Sequence, residues 1–338
     1  MARVSLVDIS NATGYSTATV SNALNRKRNV GEETAATIRR VARELGYQRR
    51  AEMERIHFVL VHRADFDIDE STHHPFVIEG VEGAARKNGL KTTFTHLHLD
   101  DPDWKAVAVG LCADTSGGVV LLGTEMDEEC LEPFRDATSP VVLIDCWSNQ
   151  TDFDAVSIAN EGATHRAITY LVERGHRCIG YIASRYRIQN FREREHGLRL
   201  ALQDAGLDYQ KYVRVEVGAT IDAAYDDMRA WLATSPTLPT AFFADNDVIA
   251  VSALRALEET GHRVPTDVSL VGFDDVSLAA ASNPPLTTIH VPRTHMGAQA
   301  VRILLARAAD DSRDGMTMPP MRCQLSARLV ERASVAGI

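Results

Sequence analysis

The sequence predicts a small all-α segment followed by a long α/β domain. Up to about residue 50, apolar residues recur at helical spacing in three short stretches. From residue 56 onward, apolar and β-branched runs alternate with amphipathic helical stretches, the pattern of parallel sheets joined by helical crossovers. Charge divides at the same place. Residues 1–55 carry 10 Lys and Arg against 6 Asp and Glu, a net of +4, whereas the remainder carries 26 against 40, a net of −14. A basic head on an acidic body fits a chain in which only one end meets phosphate.

The first helix opens at Ser5-Leu6-Val7-Asp8, a spacing that lets Ser5 and Asp8 cap each other's backbone N–H groups. Leu6, Ile9 and Ala12 or Thr13 form a narrow apolar stripe, and Gly14 supplies the stop. The second starts after Ser16, a good N-cap, and runs over 17–25. Val20, Ala23 and Leu24 should face a core, which leaves Thr17, Ala18, Ser21, Asn22 and Asn25 as a small, uncharged outer face. The third spans 32–45, with Ile38, Val41, Ala42 and Leu45 on one side and Gly46 as its end. Periodicity alone leaves two readings open, a helix-turn-helix and a plain three-helix bundle.

Strands of the second part are expected at 56–62, 91–97, 118–123, 141–145, 178–183, 213–217, 240–245 and 268–274, with helices such as 76–88, 160–174 and 192–205 between them. Ligands of open α/β sheets sit at the carboxyl ends of strands. Several of these ends are polar: His62, Asp145, Asp245-Asn246-Asp247 and Asp274-Asp275. No G-x-G-x-x-G or P-loop occurs, so no nucleotide cofactor is expected.

Composition narrows the class further. At 338 residues, 45% hydrophobic and 24% charged, the chain has ordinary globular composition and enough length for two or three domains. No apolar run reaches the ~18 residues of a membrane span, and MARVSLVDIS has no long apolar core after Arg3; a cytoplasmic protein is expected. The five cysteines, Cys112, Cys130, Cys146, Cys178 and Cys323, are scattered and read as free thiols. His73-His74 and His96-x-His98 invite a metal, but no carboxylate or Cys stands at ligand spacing, so none is expected.

The run DISNATGYSTATVSNALNRKRNVGEETAATIRRVARELGY resembles the headpiece of the LacI/GalR family, through Asp8, Ala12, Gly14, Ser16, Thr19-Val20-Ser21, Leu24-Asn25, Val30, Glu33-Thr34 and Leu45-Gly46-Tyr47. The remainder is similar to the sensor of the same family, itself related to periplasmic sugar-binding proteins. The similarity rests on His74-Pro75-Phe76 with Gly80, Asn160-Glu161-Gly162-Ala163, Arg194-x-x-Gly197, Ala244-x-Asn246-Asp247, the run from Val264 to Asp275, and Pro284-Pro285-Leu286-Thr287-Thr288-Ile289.

The resemblance implies a helix-turn-helix headpiece over 1–48, a linker over 49–55 and a two-lobed effector-binding and dimerisation domain over 56–338, each lobe a doubly wound parallel sheet. Lobe one would be 56–158 plus 289–318, and lobe two 159–288 plus the tail. It implies Thr17, Ala18 and Asn22 as base readers and Ser16, Thr19, Ser21 and Asn25 as phosphate contacts, with Arg28 in a basic loop beside them. Asp145, Arg194, Asn246 and Asp274, with His74 and Phe76 from the 71–76 segment, would line the effector site. Asp275 is expected to cap the helix that follows.

Two departures from the family stand out. Gly31 replaces the usual Ser cap of the third helix. The link has no Pro-Asn-x-x-Ala-x-x-Leu hinge stretch; its only apolar candidate for a groove wedge is Met53, and a plain basic linker is expected instead.

The partners implied are a near-palindromic double-stranded DNA operator, a second copy of the chain and a small-molecule effector. The function implied is a repressor of sugar-use genes controlled by a sugar. A nucleobase effector is the alternative; an enzyme using Asp145 and Asp274 as an acid/base pair is a third reading, which leaves residues 1–50 without a purpose. The end, LVERASVAGI, has no leucine heptads, so dimers and not tetramers are expected.

Overall fold

The computed structural model describes residues 4–24, 30–45, 53–63, 74–150, 152–208, 212–309 and 318–338. The headpiece consists of α1 (Leu6–Thr13), α2 (Thr17–Leu24) and α3 (Glu32–Glu44). Ser5 Oγ accepts from Asp8 N at 3.2 Å while Asp8 Oδ2 accepts from Ser5 N at 2.7 Å, so the reciprocal cap forms as expected. Gly14 adopts φ 75°, the left-handed turn that ends α1 and lets α2 start three residues later. Ile9, Val20, Ala23, Ala35, Ile38 and Ala42 form the core of the three helices. Leu45, expected on that face, is exposed instead, because α3 ends at Glu44 and Leu45 lies beyond its last turn.

Lobe one is a six-stranded parallel sheet in the order β11-β5-β4-β3-β1-β2. Its strands are β1 (Arg55–His62), β2 (Lys91–His98), β3 (Gly117–Leu122), β4 (Val141–Ile144), β5 (Asp154–Ile158) and β11 (Arg322–Leu325). Helices α4 (His74–Lys87) and α11 (Arg293–Ala309) pack together over one face, and α5 (Trp104–Cys112) covers the other with a 3₁₀ turn at Glu129–Phe134. Lobe two is a four-stranded parallel sheet in the order β7-β6-β8-β9. It is built from β6 (Ile179–Ser184), β7 (Arg214–Val217), β8 (Ala241–Ala244) and β9 (Ser269–Val271), flanked by α6 (Asn160–Glu173), α7 (Gln189–Asp204), α8 (Ile221–Leu232) and α9 (Asp247–Glu259). A short α10 (Ser277–Ala281) and the antiparallel pair β10 (Thr288–His290) and β12 (Arg328–Val330) complete it.

The eight expected strands are present; β5, β10, β11 and β12 are additional. β11 pairs with β5, so lobe one extends to residue 325, past the expected 318. The chain therefore passes between the lobes three times, at 159, at 291–292 and at 326–327. Residues 46–52, which include linker positions 49–52, lie outside the described residues. Met53 does not stand apart as a wedge. It packs on the lobe-one core beside Gly118, whose missing side chain leaves room for it.

Candidate functional site

Two surfaces meet the requirements of a site. The first is the outer face of α2. Thr17 and Ala18 are exposed, and Ser21 and Asn22 are half-buried, while Val20 and Ala23 are fully inside. Ser16 Oγ accepts from Thr19 N at 3.2 Å and lies 2.9 Å from the Thr19 hydroxyl, so both side chains also serve as the cap of α2. Asn25 and Arg28 lie outside the described residues. The face is small, polar and uncharged, a shape that can enter a major groove without a charge to keep it from the bases.

The second surface is the cleft at the carboxyl ends of the two sheets. Arg194, on α7, is its centre. The side chain is 5% exposed, which excludes a surface ion pair. Its guanidinium lies 3.7 Å from the Phe273 ring centroid. Nε donates to Asn160 Oδ1 at 3.0 Å, Nη1 to the Asp245 carbonyl at 2.5 Å, and Nη2 to Asp274 Oδ1 at 3.3 Å. Gly197, one turn further along α7, makes this possible. A Cβ there would collide with the Glu161 backbone, so only glycine lets α7 approach the start of α6, where Asn160 sits.

Asp274 has φ 110°, a backbone conformation that side-chain-bearing residues rarely adopt, and so turns out of β9 toward Arg194. Asp275 is not the expected helix cap; Val276 holds the cap position of α10. The Asp275 carboxylate instead binds His290 Nδ1 at 2.8 Å and Arg332 Nη2 at 2.6 Å, and these partners hold it below the usual carboxylate range despite burial. Asn246 stands beside Arg194's carbonyl partner, Asp245. Its Oδ1 accepts from Ile249 N at 2.9 Å as the cap of α9, so its acceptor face is already used. Asp145, at the end of β4 with φ 58°, is buried and electrostatically close to Glu193 of α7. His74 opens α4, half-buried, and Phe76 is exposed, with the Arg293 guanidinium 5.1 Å from its ring centroid.

Sequence reasoning missed Asn190, Glu193 and the part played by Asn160. Asn160 Nδ2 donates to Asn190 Oδ1 at 3.1 Å and to Glu193 Oε2 at 3.2 Å, linking them to Arg194. The only available signal was the Asn160-Glu161-Gly162-Ala163 match. Burial pushes Glu193 up to about 7, with Asn160 opposing and the charges of Glu161 and Asp145 adding to the rise. Burial likewise pushes Asp247 up to about 8, with Asp274 beside it. Phe191 is buried under Arg194 and Arg187, and Tyr225, on α8, is bonded to Glu259. His62 stacks on both His96 and His98, and no group able to hold a metal occurs among the described residues.

Residues 5–50 match the profile of the bacterial regulatory proteins of the lacI family, and residues 168–335 match that of a periplasmic binding protein-like domain. The HTH-type transcriptional repressor PurR of Edwardsiella ictaluri is 31% identical over 335 residues, 97% of this chain and 96% of that protein. The complex of the transcriptional regulator CelR with cellobiose superposes with a TM-score of 0.71 at 28% identity, covering 98% of this chain and all of that one. The lac repressor dimer bound to operator and the anti-inducer ONPF has the same fold, with a TM-score of 0.71 at 23% identity over 99% of this chain and all of that one.

Proposed function

The chain belongs to the lacI family of bacterial regulatory proteins, and from that premise we propose that it is a repressor of sugar-use genes whose effector is a sugar bound between the lobes. It is a DNA-binding transcriptional regulator controlled by a small molecule. The observation that supports a sugar is the cleft's polar lining. Arg194 with Asp274, and Asp145 facing Glu193, offer charged forks to vicinal hydroxyls, and charge-assisted bonds are the strong ones. CelR was solved with cellobiose, a ligand of that chemistry.

The headpiece over 1–48 reads DNA through Thr17, Ala18 and Asn22, with Ser16, Thr19, Ser21, Asn25 and Arg28 on phosphate; 49–55 links it to the sensor over 56–338. The lac repressor on operator is a dimer. This chain binds a near-palindromic operator as a homodimer, the assembly in which the lac repressor meets its operator. The relatives are transcriptional repressors, and Asp145 and Asp274 are read as ligand-binding groups in place of an acid/base pair. Work on DNA places the protein in the cytoplasm; no helix among the described residues is long and apolar enough to cross a membrane.

The test is a thermal-shift screen of sugars and nucleobases, followed by operator binding with each hit. A sugar that raises the melting temperature and changes operator affinity supports the proposal; a response confined to nucleobases refutes the sugar. Asn22→Ala should relax one base preference at a cost of about 1–3 kcal/mol. Arg28→Ala should weaken all sequences and reduce the salt slope by about one unit.

A further inference from the structure

Among the described residues, the arginines at the carboxyl ends of the sheets are matched by acids, and Arg293 is the exception. Arg187 is met by Asp245 and Glu195, Arg194 by Asp274, and Arg332 by Asp275. Arg293, at the start of α11, is 6% exposed and forms no ion pair among the described residues. Its Nη2 donates to the Asp275 carbonyl at 3.2 Å, and its guanidinium faces the Phe76 ring, so it lies between lobe two and lobe one. Its Nη1 is buried with no acceptor. Asp275, the acid in reach, already has its carboxylate between Arg332 and His290. A guanidinium taken out of water with neither a counter-charge nor a full set of acceptors is costly, and natural interiors pair such groups. The ring face offers partial compensation but no acceptor for the remaining N–H.

We propose that Arg293 receives an anionic group of the effector, which is therefore a sugar or sugar derivative bearing a carboxylate or phosphate. This rests on the sugar-in-cleft reading above and adds the charge of the ligand. The hydroxyl-bearing end lies toward Arg194, Asp274, Asp145 and Glu193, where a second anion would meet acids. The oxyanion lies toward Arg293, where the acid in reach is already neutralised. The bond is charge-assisted, and the burial of Arg293 strengthens it.

The experiment uses the full chain with D-glucuronate, D-galacturonate and D-gluconate as carboxylates, glucose 6-phosphate as phosphate, and D-glucose and D-galactose as neutral controls. At least one acid should raise the melting temperature and change operator affinity where its neutral counterpart does not. The carboxylate and phosphate arms identify which oxyanion fits. Arg293→Met should lose affinity for that acid by about tenfold or more, Arg293→Lys by less, and the ligand-free melting temperature of the Met variant should not fall. No acid-specific shift, or an acid preference that survives Arg293→Met, overturns the proposal. If a neutral sugar binds and Asp274→Ala removes that binding, only the anionic feature falls. If binding survives Asp274→Ala, the cleft reading falls with it.

Discussion

In the headpiece the residues that meet the partner stand outside a thin core, whereas in the cleft they are built into a thick one. Three of the six fully buried headpiece residues are alanines, so Ile9, Val20 and Ile38 supply most of the buried apolar surface. Thr17, Ala18 and Asn22 project from that small support and take little part in it. In the cleft, Arg194 holds α6, α7, the end of β8 and the loop after β9 together through the same atoms that would meet a ligand. A groove-reading face is matched to a surface that arrives from outside, and it stays exposed. A small polar ligand must be wrapped, and the groups that wrap it are held in place by each other before it arrives.

The comparison breaks most visibly in the headpiece core. Ile38→Ala should cost about 2–5 kcal/mol there, enough to unfold three short helices and abolish operator binding. The sensor's melting transition and ligand response should be unchanged, as two-transition calorimetry would show; retained operator affinity would mean that the core is less thin than its residues suggest.

Asp274→Ala comes next. It strands Arg194 in a buried site, which should cost about 3 kcal/mol of sensor stability together with the effector response, while ligand-free operator affinity holds. Denaturant melts and operator titrations separate the two. A lost response with unchanged stability would separate ligand reading from lobe construction, against the comparison.

Glu193→Gln sharpens it. The carboxyl of Glu193 is raised from its ordinary value to about 7, so it favours the folded state below about pH 4.5, and that contribution is lost as pH rises through 7. Between pH 5 and 8 the parent should lose on the order of 2 kcal/mol that the Gln variant keeps. Asp247 titrates in the same sense near 8, so the variant's profile flattens only in part. Parallel urea midpoints across that range would remove Glu193 from the cause.

Met53→Ala is the smallest. Because Met53 packs on lobe one beside Gly118, the loss should be about 1 kcal/mol of sensor stability, with operator affinity changed by less than about tenfold. A larger affinity loss would show that Met53 leaves the core and enters the minor groove on DNA.

What was legible in the sequence divides along the same line. Helix caps, stripes and β-rich runs are local, so Ser5 with Asp8, Val20, Ile38 and eight of the strands could be read directly. β5 opens with an acid, Asp154, whose partner Arg307 is far away in the chain, and nothing near either residue announces the pair. β10 and β12, like β9, are three residues each, below the length at which alternation can be seen; β9 was legible because the β-rich run 268–274 continues past it. Asp274 and Asp275 sit next to each other and have opposite fates, one turned to Arg194 and the other to Arg332 and His290. Only the tertiary arrangement decides which. The Asn160–Asn190–Glu193 chain was missed for the same reason: amides and acids on helices ordinarily read as solvated faces.

The three passages between the lobes also set an order of assembly during synthesis. The sheet of lobe two, β6 to β9, is continuous in the chain and can close as it leaves the ribosome. Lobe one, which begins first, cannot finish until β11 arrives to lie along β5, with Arg322 opposite Ala155. At ordinary elongation rates that wait is on the order of 10–30 s. Throughout it β5 presents an open apolar edge to any other nascent chain with a strand to offer, and the vulnerable interval in this protein's life belongs to the half that was made first.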